Sequence, residues 1–518
     1  MKKILVLGLL ISLLCGLLAG CLEPDGPYIP TGDALQSDGD SKPSATRPVS
    51  PEQPLRLVYD PAASLNPYQS GSATNRVLFP LMYQGLFSLS ADYTPVPILC
   101  SYYRCSQDMK EYTFYLENAT FSDGTVLTAA DAVASLNAAR NNPVYSGRLK
   151  YVSQVSVSAD GAVVIQLSTA YDQLPMLLDI PIVKASQVND PRPLGTGPYV
   201  WEEPVTGPQL TLRKDWWCEA TLPITATMIP LVEGENAAQI RDLFEYGQLD
   251  LVCTDPGSDK YVDFRSDYEL WSCENGIFVY LACNEKSPVF SNAKLRRALT
   301  HAIDRNELVE VCYRGFATAA MLPASPASPY YSRPLAAKYG YDPDVFAQAV
   351  AEYVPAPKEG EAPITVTLLV NKGDSRRVLA ARAIAEMLTQ LGLSTTTKEL
   401  SGKDYTNALS KGNYDLHLGQ TTLSPNMDLS SFYNVGGSLS FGGLADAAIA
   451  SMCQEALENV GNYYTLHKMV MEDGVLCPLV FRSYGIYTTR GTLSQLGGAR
   501  DNLFFYTLGK TMEEIYLA

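Results

Sequence analysis

Ser291 and Lys294 stand three residues apart in the run Ser-Asn-Ala-Lys, the spacing at which a lysine can activate a serine for acyl transfer. No Lys-Thr-Gly or Ser-Asp-Asn follows to complete that machinery, and the serine falls where the helix expected in "NAKLRRALTHAID" needs an N-terminal cap. A capping role is therefore expected for Ser291, not a nucleophilic one. Gly195-Thr196-Gly197 carries two glycines of a dinucleotide-binding turn, but Val200 stands where the third belongs and Pro198 would interrupt the helix. A turn between lobes is the reading. No G-x-S-x-G, H-E-x-x-H or Walker loop occurs, so the major hydrolase and nucleotide signatures are absent. The three histidines, His301, His417 and His467, would all have to converge to make a multi-histidine metal site. The chain is expected to act without a metal or cofactor. Tyrosines number 32 against four tryptophans, and Tyr68, Tyr83, Tyr145, Tyr313, Tyr330 and Tyr331 recur beside polar turns. A tyrosine offers a stacking face and a hydroxyl at low entropic cost, which suits a binding cleft.

The elements that must position such residues can be read from periodicity. Leu55 to Tyr59 alternates as an opening strand that Asp60-Pro61 ends. A polar turn from Ser64 to Ser72 then leads into an apolar helical stretch from Asn75 to Tyr83. Tyr112 to Leu116 reads as another strand. Asp123-Gly124 is a tight turn, and Thr128 with Asp131 forms a capping box that starts a helix with Ala129, Val133 and Leu136 facing inward. Ile364 to Val370 reads as a buried strand, Ser375 to Leu391 as a helix capped by Gly392, and Leu393 to Lys398 as a further strand. Strand, helix and strand in so short a span make a βαβ unit, hence a parallel or mixed sheet. Tyr414 to Leu418 is the next strand, running into the polar loop "GQTTLSPNMDLSSFY". Ligands of open α/β sheets sit outside the carboxyl ends of strands, which places this loop beside a ligand.

The first fifty residues concern location. Lys2 and Lys3 precede an apolar run, Ile4 to Leu18, shorter than the ~20 residues of a membrane-spanning helix and in the form of a secretory signal. Leu18-Ala19-Gly20-Cys21 resembles the lipobox of bacterial lipoproteins, which implies lipidation of Cys21 and removal of residues 1–20. From Leu22 to about Gln53 the chain holds six prolines among Ser, Gly, Thr and acids. That composition is a tether with a root-mean-square reach of roughly 30 Å.

Hydrophobic content of 46% and charged content of 18% are those of a globular protein. The formal charge of -16 becomes -18 once Lys2 and Lys3 leave with the signal, which argues against nucleic acid as a partner. A folded part this long points to two or three lobes. Apart from Cys15 and Cys21 there are nine cysteines: Cys100, Cys105, Cys218, Cys253, Cys273, Cys283, Cys312, Cys453 and Cys477. An odd number cannot all pair within one chain. A local Cys100–Cys105 bridge and a set of buried free thiols are both open.

Taken together, "SLNPY", "MYQGLFSLSADYTPVPIL", "ATFSDGTVLTAADAVASL", "PLGTGPYV", "LFEYGQLDL" and "ACNEKSPVFSNAKLRRALTHAIDRNELV" resemble, in order and spacing, the family 5 bacterial extracellular solute-binding proteins of peptide and nickel ABC transporters. The resemblance covers nearly all of residues 55 to 510. It implies an α/β, two-lobed periplasmic-binding-protein-like fold of the large three-subdomain class, with a hinge between the lobes. Lobe I would comprise 54–90, 190–268 and 478–518, with an inserted subdomain at 91–189; lobe II would be 269–477. It also implies a monomer, without enzymatic activity, that closes over a small or peptide ligand and delivers it to ABC permease subunits at the membrane face outside the cytoplasm. The contrasting possibilities are a sensory lipoprotein of the same fold and a surface hydrolase using Ser291 and Lys294.

On this resemblance the substrate-binding candidates are Gln69, Ser70, Gly71 and Ser72 after the first strand, Tyr145 in the insert, and Gln420, Thr421, Asn426 and Asp428 in the second lobe. Peptide-binding members place an aspartate after the strand ending near Gly419 to pair with the peptide's α-ammonium. Here that neighbourhood reads Leu423-Ser424-Pro425-Asn426, and the nearest acid is Asp428. The departure bears on the substrate, since a charged N-terminus buried without a partner is costly.

Overall fold

The computed structural model describes residues 55–517 apart from positions 225, 266, 361, 494 and 501. The expected signal segment, Cys21 and the tether lie outside the described residues. Strand β1 (Leu57–Tyr59) is buried throughout, and the polar turn after it is held by Asn75, whose side chain accepts from the Asp60 N–H at 2.8 Å and donates to the Asp60 and Ala63 carbonyls at 3.0 and 3.1 Å. The apolar stretch expected as one helix is two single turns, Ala73–Arg76 and Phe79–Met82. The break has a cause: Pro80 lacks an N–H and is tolerated in the first turn of a helix but not in its interior. Strands β2 (Phe87–Leu89) and β3 (Pro95–Pro97) follow as an antiparallel pair.

The next segment forms its own four-stranded antiparallel sheet, ordered β4-β5-β7-β6, from β4 (Cys100–Cys105), β5 (Glu111–Leu116), β6 (Val152–Val157) and β7 (Val163–Leu167). Helix Ala129–Arg140 packs on it. As expected, the Asp131 carboxylate caps this helix, accepting the Thr128 N–H at 2.9 Å and the Thr128 hydroxyl at 2.7 Å. The buried face is Ala129, Ala132, Leu136 and Ala139, with Val133 half-buried at its margin. Cys100 and Cys105 are free, as are the other cysteines among the described residues. They lie at opposite ends of β4, and five residues of extended chain span about 16 Å, beyond the reach of a disulfide.

The main sheet has eleven strands. On one side it contains β8 (Tyr199–Glu202), β9 (Gln209–Leu212), β10 (Met228–Glu233) and β11 (Leu251–Thr254), with β1 parallel to both β10 and β11. Two long strands, β12 (Glu269–Cys283) and the final strand Leu476–Thr488, join this part to the rest. Their first pairings, Glu269 to Glu274 against Thr488 to Ser483, adjoin β11. After a register break at Gly276, Phe278 to Ala282 pair with Phe481 to Leu476. The lobes thus share continuous strands. Gly276 has φ +75, a conformation glycine adopts without steric cost.

Beyond the break come β13 (Ala317–Ala319), β14 (Val366–Asn371), β15 (Thr395–Leu400) and β16 (Leu416–Thr422), leaving Leu476–Thr488 as β17. Helix Ser375–Gln390 connects β14 to β15, which run parallel, so the expected βαβ unit is present. β16 is longer than its sequence suggested: Gln420 and Thr421 belong to the strand and sit opposite Val279 and Phe278 of β12. The polar run was read as a loop, but a neighbouring long strand supplies ladder partners that local polarity does not reveal. Helix Ala293–Ala302 is capped by Asn292, whose side chain accepts the Lys294 N–H at 2.9 Å, and not by Ser291.

Candidate functional site

Three segments distant in sequence meet around a partly open cleft. Arg76, Phe79 and Tyr83 come from the two short helices after β1 and the residue that follows them. Tyr145, Arg148 and Asp179 come from the insert, Phe87 and Leu89 from β2, and Arg500, Asn502 and Tyr506 from the C-terminal segment.

The helix turns approach the rest of the lobe closely because of Gly195 and Gly197. A Cβ on Gly195 would stand 2.1 Å from the Met82 carbonyl oxygen, and one on Gly197 2.5 Å from that of Leu81. The Gly197 N–H donates to Met82 O at 3.0 Å. The expected turn is thus a place where two backbones touch, and only glycine fits. Tyr83 donates to Leu65 O at 3.0 Å, and burial pushes its phenol well above the ordinary tyrosine range. Gln84 is held at both ends, donating to the Tyr506 hydroxyl at 2.7 Å and accepting from Trp217 Nε1 at 2.9 Å.

The charged groups of the wall are three arginines and one aspartate. Arg148, 6% exposed, pairs with Asp179 and lies over the Tyr145 ring at 5.4 Å. Arg500 is 8% exposed and has φ 59. Its guanidinium reaches β12 at the register break, 3.3 Å from where a Cβ on Gly276 would stand. Nearby, Glu274 accepts from the hydroxyls of Tyr93 at 2.5 Å and Ser325 at 2.8 Å. Burial raises the Glu274 carboxyl above its usual range, and the positive charge of Arg500 acts against that rise.

Of the sequence-predicted residues, Tyr145 lines this cleft. Ser72 caps helix Ala73–Arg76 and so sets the position of Arg76. Ser70 is buried and accepts the Ser72 N–H at 3.3 Å; Gln69 donates to Asn189 O at 2.8 Å, and Gly71 has open space around it. Gln69, Ser70 and Ser72 hold the loop. Gln420 accepts from Arg482 Nη1 at 3.1 Å, and Arg482 also makes two bonds to Asp255 at 2.8 and 2.9 Å. Asn426 is buried, with its carbonyl taking the Tyr463 hydroxyl, and Thr421 is half-buried on β16. Asp428 is not on the cleft wall: Lys150 Nζ lies 2.5 Å from its Oδ2, Tyr151 donates to it at 3.0 Å, and the Ser430 N–H donates to Oδ1 at 2.8 Å. Arg76, Arg148 and Arg500 were not found from sequence, because single arginines carry no local signal of where they converge.

Residues 169–172 meet residues 454–457 as well: Thr169 donates to Gln454 at 3.0 Å, and the Asp172 N–H donates to Leu457 O at 3.2 Å. The Tyr330 ring stacks on Tyr463 at 4.1 Å. The Ser291–Lys294 pair makes no dyad. Ser291 Oγ donates to Pro288 O at 3.3 Å, whereas Lys294 Nζ sits 5.2 Å from the centre of the Tyr353 ring. Among the described residues no cluster of three or more His, Cys, Asp or Glu could hold a metal, and no helix is long and apolar enough to cross a membrane.

Residues 94–443 match the family described as bacterial extracellular solute-binding proteins, family 5 Middle. A Brucella ovis protein named as an ABC transporter peptide-binding protein is 26% identical over 337 residues, covering 60% of this chain and 62% of that protein. A glutathione-binding protein of Salmonella typhi is 26% identical over 316 residues, 55% of this chain and 60% of its own. The chain thus spans about three fifths of the length of the curated relatives it matches. The solved structure of a nickel ABC transporter protein from Bacillus halodurans superposes with a TM-score of 0.70 at 18% identity, over 90% of this chain and 99% of that one. At that identity the likeness is one of fold: two lobes with a mixed α/β sheet.

Proposed function

The chain belongs to the family 5 bacterial extracellular solute-binding proteins, and from that premise we propose that it captures a small solute outside the cytoplasm and delivers it to the permease of an ABC importer. The observations that support this reading are a cleft lined by three distant segments of lobe I and its insert and the ion pair by which Lys150 of the insert engages Asp428 of the other lobe. Two long strands, β12 and β17, run through both lobes with a break at Gly276, the arrangement needed for lobes that swing about a few residues. Closure buries the solute and alters the surface the permease meets. No covalent step is required. The relatives named for peptide and glutathione binding support a peptide-like or other small polar solute.

The reading includes a lipid anchor at Cys21 followed by a tether to about residue 53, which would raise the local concentration of the protein at its permease. It places lobe I at 54–90, 190–268 and 478–518, the insert at 91–189 and lobe II at 269–477. A hydrolase is not favoured, because Lys294 is turned toward Tyr353 and away from Ser291.

The test is to denature freshly purified protein and identify released small molecules by mass spectrometry, then return them to refolded protein while following X-ray scattering. A released solute that compacts the stripped protein is expected. Absence of any bound molecule, together with an unchanged scattering profile across peptides, sugars and organic acids, would overturn the proposal. Palmitate labelling abolished by Cys21→Ser is the expected result for the anchor.

A further inference from the structure

Residues 169–172 dock on the carbonyl end of helix Ala447–Glu458. Thr169 donates to Gln454 Oε1 at 3.0 Å, and the Asp172 N–H donates to the Leu457 carbonyl, in the last turn, at 3.2 Å. The last two turns of this helix carry Glu455 and Glu458, both exposed, and no cation. A helix ends in the negative pole of its dipole, so a carboxylate brought there is repelled and not answered.

Oδ1 of Asp172 is shut off from solvent and has no hydrogen-bond partner among the described residues. The titratable groups within reach of its charge are Tyr103 and Cys105 of β4, Tyr112 of β5, Tyr330, and Tyr463 at the start of helix Tyr463–Asp473. Burial pushes every one of them above its ordinary value, so all are uncharged near neutrality. The Gln173 side chain and a backbone N–H steady the ionised carboxylate, but burial outweighs them and lifts it to about 6. A sheltered carboxylate without a cation carries a cost that protonation removes. Leu457, Tyr330 and Tyr463 reach Asp172 from remote parts of the chain. Parting the junction would return the carboxyl to water and to its ordinary value near 3.9.

We infer that residues 169–172 and the end of helix Ala447–Glu458 form a proton-sensitive catch, which closes on protonated Asp172 and parts more readily when Asp172 is ionised. This rests on the solute-capture reading, in which the two sides of the junction separate to admit solute. The value is raised in the closed arrangement, so the gain from closure is whole below about pH 4 and is lost as pH rises through about 6. Solute is held more firmly in mild acid and released more readily toward neutrality.

Full-length protein would be followed by hydrogen exchange and mass spectrometry at about pH 5 and about pH 7.5, with rates corrected for the intrinsic effect of pH. The buried His417 and His467 titrate below this window. Peptides covering 169–175 and 447–458 should be about tenfold better protected at the lower pH, the change in the closed-to-open ratio that a shift from about 3.9 to about 6 implies. A peptide from helix Ser375–Gln390 should not change. Asp172→Asn should be equally protected at both pH values. Thr169→Val, which removes the bond to Gln454 and leaves the carboxyl in place, should lower protection at both and keep the tenfold difference; it also serves if Asp172→Asn does not fold. Equal protection of the unsubstituted protein at both pH values, a difference that survives in Asp172→Asn, or one shared by helix Ser375–Gln390 would overturn the inference. Solute capture itself would still be judged by the molecule released from untreated protein.

Discussion

Lys150 Nζ lies 2.5 Å from Asp428 Oδ2, joining two segments remote from each other in the chain. Lys150 also donates to Ser430 Oγ at 2.7 Å, and the Asp428 side chain is 3% exposed against 31% for Lys150. A carboxylate so sheltered depends on its donors. On the proposed reading the pair would act as a latch between lobes, and Asp428 is already engaged by Lys150, Tyr151 and the Ser430 N–H.

Lys150→Met should remove a charge-assisted bond worth about 1.5–3 kcal/mol from the closed arrangement. Solute dissociation should speed up tenfold or more, measured by stopped-flow or calorimetry. Asp428→Asn should have a similar effect whether or not the solute carries an amine. An effect confined to amine-bearing solutes would return Asp428 to the binding site.

Gly195→Ala would drive a Cβ to 2.1 Å from a backbone oxygen and 2.5 Å from Tyr83 Cδ1. The backbone must move, at a cost of about 1–3 kcal/mol or more, and the cleft wall carrying Tyr83 moves with it. Gly71→Ala meets no atom within 4 Å and should be neutral or slightly stabilising. Urea unfolding of the two variants checks the contrast.

Arg482 is 3% exposed and ties β17 to Asp255 of lobe I and Gln420 of lobe II. Arg482→Met should cost about 3 kcal/mol by leaving these partners without their donor. Arg482→Lys should recover part of the loss, since one ammonium cannot reproduce the separate bonds that Nη2 makes to Asp255 and Nη1 to Gln420. Chemical denaturation reads both.

Acid should destabilise the protein through two buried histidines. Burial holds His417 down to about 4 and His467 to about 3, below the ordinary value near 6.5. The unfolded chain then binds more protons, so their contribution is whole above about pH 6.5 and is lost as pH falls toward 4 and 3. For His417 the shift corresponds to about 3 kcal/mol. Asp172, raised to about 6 by burial, works the other way, losing its contribution as pH rises from about 4 to 6. His467 has no hydrogen-bond partner on either ring nitrogen among the described residues and packs edge-on against Tyr463. His467→Phe should flatten the acid limb of a stability-against-pH curve; an unchanged limb would remove His467 from this account.

What could be read from the sequence was local. The Thr128–Asp131 capping box, the βαβ unit of β14, helix Ser375–Gln390 and β15, and the turn at Gly124 each depend on residues within a few positions of one another. Periodicity and capping report on such neighbours directly. Pairing between distant segments was not legible. The polar end of β16 is a strand because β12 lies beside it, and Asp428 is engaged because Lys150 arrives from a remote segment. Arg76, Arg148 and Arg500 line one cleft only after the chain has brought three remote segments together. The charge of a cleft is a sum over residues that share space, and spacing along the chain sets no term in that sum. The sequence by itself determined the family and elements set by neighbouring residues, such as the Thr128–Asp131 cap and the βαβ unit; tertiary packing alone decided which side chains share the cleft and which charges meet across remote segments, because those contacts depend on folding and not on spacing.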